Sequence, residues 1–406
     1  MEARTLVQSG IKRKFESVEG DLILGRRAVV EGTGTPPTLR VSGMTFCEGD
    51  NVFHCSLATR SLEAEDNVTV RGDLDVDAYA RVEDGRLEVD GKMDVKRVDV
   101  DAVLCVSHDL TADKVDVGGS LEVGGSAKAE EIDVGGSFSA GGSVEAEKVD
   151  VGGSVSIGSS SNISRLDVGG AARVRGGRIC QIDVGGVFES GDSLEFEEIS
   201  VGGVVRLANK NEGGDLDVGG SLKVRGELQF RDIEVGGKVE VTGSLQGRHI
   251  EVGGKVKTEK SLKLSGDLEV GGKVEVQEET SAKNIEVGGV LRSRKISAEE
   301  RVEVGGSLIT EEGLTARLVE IGRRGRAQGT IKADRIIIGN DAHAEDLYGE
   351  EILLRTGAHA ANLRGGRIAI ESYCHVSGEV QYTKALKMED HISFSKAPQK
   401  VDKLGF

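Results

Sequence analysis

Tryptophan is absent from these 406 residues, proline occurs three times, and aromatic residues make up only 3%. A globule packed around large rings is excluded, and a narrow core of Val, Leu and Ile filled layer by layer fits better. No window shows helical periodicity, which removes the α and α/β classes. No apolar run reaches the length of a secretory or bilayer-spanning segment, so a cytoplasmic location is expected. Five cysteines at irregular spacing make no disulfide framework. A formal net charge of −17 lacks the basic stripe that phosphate backbones require, so nucleic acid is not an expected partner. No Gly-x-x-x-x-Gly-Lys-Ser/Thr pattern is present, and the short two-glycine corners leave nothing to wall a pocket. An enzyme is therefore not expected, and no cofactor.

What the chain has instead is glycine, 59 of it, locked to one place in a repeat. The valine of a Val-Gly-Gly corner recurs at Val117, Val134, Val151, Val168, Val184, Val201, Val218, Val235, Val252, Val270, Val287 and Val304, in steps of 16, 17 or 18 residues. Self-similarity at so short a period means a repeat architecture. Around each corner apolar and polar residues alternate, as in Val115-Asp116-Val117 and Leu121-Glu122-Val123. Period-two alternation broken by glycine reads as short strands and tight corners, the glycines being suited to positive φ. The expected fold is all-β: a single-stranded parallel β-helix, or β-solenoid, with three faces and about 17 residues per coil.

The boundaries follow from how regular the period is. Residues 1–19 read as a flexible tail whose Lys12, Arg13 and Lys14 sit among Leu6, Val7, Ile11 and Phe15. A peripheral membrane contact is the alternative reading of that tail. Residues 20–113 read as irregular coils, broken at Thr35-Pro36-Pro37-Thr38. Residues 114–395 read as regular repeats, and 396–406 as a second tail. Past Val304 the glycine pair degenerates while the strand persists at Ile321, Ile338, Leu354 and Ile370, and Met388 takes the valine position in a last coil.

Two columns of chemistry-bearing residues and one open end emerge once the coils are stacked. The residue between the two apolar ones is Asp116, Asp133, Asp150, Asp167, Asp183, Asp217, Glu234, Glu251, Glu269, Glu286, Glu303 and Glu320. Neighbours ~4.8 Å apart would repel by about 0.9 kcal/mol at the dielectric of water. The plain reading is a solubilising face. The alternative is a stripe that docks a partner or divalent cations. Lys238, Lys255 and Lys273 lie just past the corner and would offset Glu234, Glu251 and Glu269. His343, His359 and His375 form a second column, outward-facing and straight, which does not converge on one metal ion. Cys47, His54, Cys55, Cys105 and His108 are spread over too many coils for one site. The third feature is the last coil, where Leu386, Met388, Ile392 and Phe394 would lie open, with Phe46 and Phe53 near the other end.

Corners such as Gly357-Ala358-His359-Ala360 resemble those of bactofilins, the polymer-forming cytoskeletal proteins, most closely over residues 335–395. The ending Val380-Gln-Tyr-Thr-Lys-Ala-Leu-Lys-Met and the following Lys400-Val-Asp-Lys-Leu are similar too. The resemblance implies a right-handed, three-faced β-helix that needs no nucleotide and assembles end to end with copies of itself. Bactofilins are usually a short solenoid between disordered tails, and this array is far longer. The expected function is a structural protomer of homopolymeric filaments or scaffolds, with Leu386, Met388, Ile392 and Phe394 as the polymer interface. The alternative is a rod-like binding module that docks a protein or a surface through its charged faces.

Overall fold

The computed structural model describes residues 3–404, and every regular element among them is a strand. The chain divides into two compact units, Met1–Gly202 and Gly203–Phe406. Each is a parallel β-solenoid with about 17 residues per turn.

One coil of the first unit shows why these residues fold so. Face A is Ser120–Val123, with Leu121 and Val123 buried and Glu122 exposed. Gly124, Gly125 and Ser126 turn the chain into Ala127–Val134, which bends at Glu130. Residues 127–129 then lie on face B and residues 131–134 on face C. Ala127, Ala129, Ile132 and Val134 point inward, and Gly135-Gly136 opens the next coil. The second unit repeats this, for instance at Lys238–Val241, Leu245–Gly247 and His249–Val252. Period-two alternation puts an apolar residue at each inward position, so each coil adds one layer of core.

The amino-terminal region differs from the sequence expectation. Residues 4–18 carry the strands Arg4–Val7, Lys12–Lys14 and Ser17–Val18, each paired in parallel with the following coil, where a flexible tail was expected. The inward column of Val117 runs back without a break through Val100, Val82, Ala64, Cys47 and Leu24 to Val7. The raggedness read over residues 20–113 is therefore in the corners. One coil carries an insertion around residues 33–38, closed by an antiparallel Thr33–Thr38 bridge. At the other end Gln399–Lys400 pairs with Gln381 and Tyr382, so the expected second tail begins as another strand.

The glycine pairs do a different job from the one their sequence context suggests. None of the Val-Gly-Gly corner glycines lies in the left-handed region. They are required by closeness: a Cβ on Gly135 would sit 2.2 Å from the Gly118 oxygen, and one on Gly152 would sit 2.4 Å from the Gly135 oxygen. Corner peptides stack this tightly because they continue the ladder. Gly135 N–H donates to Val117 O and Gly152 N–H to Val134 O, both at 2.9 Å. Left-handed corners occur elsewhere, at Gly10, Arg27 and Asp50 in the first unit and at Arg324, Asp341, Tyr373 and His391 in the second.

Two substitutions separate these corner types. Gly152→Ala should lower the unfolding free energy by about 2–4 kcal/mol, because only backbone movement relieves the contact. Arg324→Gly, at an exposed residue with φ of 57°, should raise it by up to about 1 kcal/mol. Chemical denaturation of each variant checks both signs.

Candidate functional site

The last full coil is built from Val380–Met388 and Ser393–Phe394, and Gln399–Lys400 begins a further turn on top of Gln381 and Tyr382. Its residues continue the inward columns: Leu386 stacks on Ile368, Met388 on Ile370 and Phe394 on Val376. Those three partners are 1%, 2% and 0% exposed, whereas Met388 is 53% exposed and Leu386, Ile392 and Phe394 are half-buried. The sequence-predicted interface residues are thus brought together on one coil with their outer side uncovered. The backbone is open too. Ser393 N–H donates back to Cys374 O, Ser395 N–H to Val376 O and Glu389 N–H to Ile370 O, each at 3.0 Å. Strand alternation then turns the N–H groups of Phe394 and Met388 towards the open side. The segment after them continues the ladder, with Val401 N–H on Tyr382 O at 2.9 Å and Lys396 paired to Glu379 at 3.1 Å. Phe406 lies outside the described residues.

The first coil is chemically unlike the last. Arg13 and Glu16, both exposed, occupy positions that the next coil fills with Val30 and Leu39. Leu6 is 66% exposed and Ile11 40%. Phe53 is fully buried inside the stack and unavailable to an end surface. Phe46 points outward from face C and is half-buried.

The acid column lies on face C. In the first unit the register runs Asp99, Asp116, Asp133, Asp150, Asp167, Asp183. In the second it runs Asp217, Glu234, Glu251, Glu269, Glu286, Glu303, Glu320. Asp99 belongs to this column and was missed, because its coil lacks the Gly-Gly corner used to align the others. Asp116 is half-buried rather than exposed, since strands flank it on both sides. Burial, then Asp133 and Asp99, push its carboxyl above the usual carboxylate range, against the pull of Lys114 and Arg97.

The expected relief from Lys238, Lys255 and Lys273 is absent. They pair on their own face instead, Lys238 with Glu240 at 3.2 Å and both others with Glu275 at 2.5 Å. Hydrogen bonds from Lys255 and Lys273 pull the Glu275 carboxyl down to about 2. Face A of this unit in fact alternates sign coil by coil through Lys223, Glu240, Lys257, Glu275 and Arg292. That alternation is legible in the sequence at the repeat spacing.

The histidines occupy the expected column. The rings of His343 and His359 stack at 4.5 Å and 4°, with His375 tilted at 5.8 Å. Burial and the two neighbouring rings lower the His359 pKa. Cys55 lies at a corner leading into face B and Cys105 points outward on face A, so the two do not meet. No group of three His, Cys, Asp or Glu side chains that could hold a metal occurs among the described residues. No helix of the described residues is long and apolar enough to cross a membrane. No protein-family model, curated protein or solved structure matches this chain.

The acid column makes a pH-dependent prediction. A carboxyl raised in the folded state disfavours folding when ionised, so its cost is present at neutral pH and vanishes as pH falls through its folded pKa. Asp116→Asn should stabilise the protein at pH 7 by up to about 1 kcal/mol. The gain over wild type should shrink towards pH 4. Melting curves of both proteins from pH 4 to 8 test this.

Proposed function

We propose that this protein is a structural, non-catalytic protomer that joins copies of itself through its end coils into homopolymeric filaments or scaffolds, as the bactofilins it resembles do. The observation that carries this reading is the last coil. Core positions that are closed everywhere above it are open at Leu386, Met388 and Phe394, beside ladder N–H groups that face outward. Soluble solenoids ordinarily cover such an end with a polar cap. A further coil from another copy supplies both the missing layer of core and the missing ladder partners. Burying one side chain such as Phe394 contributes on the order of 2 kcal/mol, so a few suffice for micromolar association.

The partner in this reading is the protein itself, with right-handed winding and a cytoplasmic setting. The acid column keeps copies from adhering along most of face C, and screening or divalent cations there would ease their approach. Grooves of the second unit run between outward side chains such as Lys257, Glu275 and Arg292, or Lys223, Glu240 and Glu259, which suits a scaffold better than a substrate pocket.

Sedimentation velocity from 1 to 50 micromolar, at low and high salt, tests the proposal. Wild type should form large species that increase with concentration and salt. Phe394→Arg should remain small while keeping its β circular-dichroism spectrum. A wild-type protein that stays monomeric throughout would overturn the reading.

A further inference from the structure

The outward column of face C changes character over the last five coils of the second unit. Its members are, in register, Glu320, Ile337, Leu353, Ala369 and Lys387. Ile337, Leu353 and Ala369 are half-buried outward residues, where every earlier coil of this unit has a carboxylate. Acid stands at one edge of this short apolar strip and base at the other. Glu320 retains 39% side-chain exposure with Arg301 3.5 Å away, and Lys387 is exposed.

That order is its own complement when reversed. From it we infer that a second copy of this chain docks antiparallel on face C, about a two-fold axis passing between the two Leu353 side chains. The axis lies along the strand direction, so each column faces its own reversed image. Ile337 then meets Ala369 of the second copy, Leu353 meets Leu353, and Glu320 meets Lys387 at both ends. Opposite charges close the strip, and within this column like charges are kept apart, because the overlap ends where the acid column begins. A parallel arrangement about an axis along this column lacks this match, since it brings Glu320 over Glu320 and Lys387 over Lys387. The flanking column opposes the arrangement only weakly. Arg335 would face Arg367 of the second copy and Glu351 would face Glu351, but within each chain Glu351 is already paired, 2.6 Å from the Arg367 guanidinium and 4.0 Å from that of Arg335.

Five coils of one face cover on the order of 300 Å² per copy. Stable complexes bury about 800 Å² per partner, so this pairing is weak by itself. It gains weight wherever copies are held together, since linked contacts act at a high effective concentration. Of the last coil it uses only the outward Lys387 and none of the inward Leu386, Met388 and Phe394, so it stands apart from the filament reading.

The test is therefore made in Phe394→Arg protein that also carries Cys105→Ser and Cys180→Ser. A short bismaleimide should link Leu353→Cys into dimers, because facing sheets pack about 10 Å apart. Glu303→Cys, one coil outside the overlap and about 29 Å from its counterpart, should not link. Glu320→Lys and Lys387→Glu should each cut the Leu353→Cys dimer yield at least fivefold, and the double reversal should restore it. Equal linking at positions 303 and 353, no linking at 353, or a double reversal that fails to restore the yield would each overturn the inference. None of these readouts changes if end stacking proves absent.

Discussion

Within each unit, an interior coil is hydrogen-bonded to the coils on either side of it, and at the corners those bonds bring backbone onto backbone. Gly135 and Gly152 have no room for a Cβ, because the oxygen of the glycine below would lie 2.2 or 2.4 Å away. Closing the corner peptides into the ladder leaves few unpaired polar groups where the chain turns. It also fixes register, since a slipped coil would set a side chain against the carbonyl of the stack. The inward columns then follow, and Val7, Leu24, Cys47, Ala64, Val82, Val100 and Val117 fall into one line although the steps between them vary.

Strict register has an electrostatic consequence. Whatever residue faces outward meets its counterpart one coil away, so a repeated acid is a column of acids. Face A of the second unit avoids this by alternating Lys223, Glu240, Lys257, Glu275 and Arg292, and its carboxylates find cations. Face C stacks its carboxylates on one another with relief only from the flanking column, as Lys148 gives Asp150 and Arg165 gives Asp167, and Asp116 shows the cost in a raised pKa. In the proposed assembly, coil ends and the short apolar strip at Leu353 are the places where copies would meet.

Much of this was legible in the sequence. The Val-Gly-Gly spacing, the period-two alternation and the absence of helical patterning were enough for a three-faced solenoid, and they placed Met388 and Phe394 on the last coil correctly. The reason for the glycines was not legible, because a sequence does not distinguish a left-handed turn from a lack of clearance. Residues 4–18 do not read as a coil from sequence because Arg13 and Glu16 occupy core positions, and an end coil needs no apolar residue on its outer side. The pairing of Lys255 and Lys273 with Glu275 was hidden as well, since both corner neighbours and stacked neighbours compete for one lysine.

An open coil able to receive another is the centre of this account, and its backbone amides report on it directly. Hydrogen exchange should be followed residue by residue in the wild-type protein, dilute and then concentrated. The N–H groups of Met388 and Phe394 should exchange rapidly when dilute and become strongly protected when concentrated. Those of Ile132 and Val134, inside the stack, should be protected in both. Rapid exchange at Met388 and Phe394 at every concentration would contradict it.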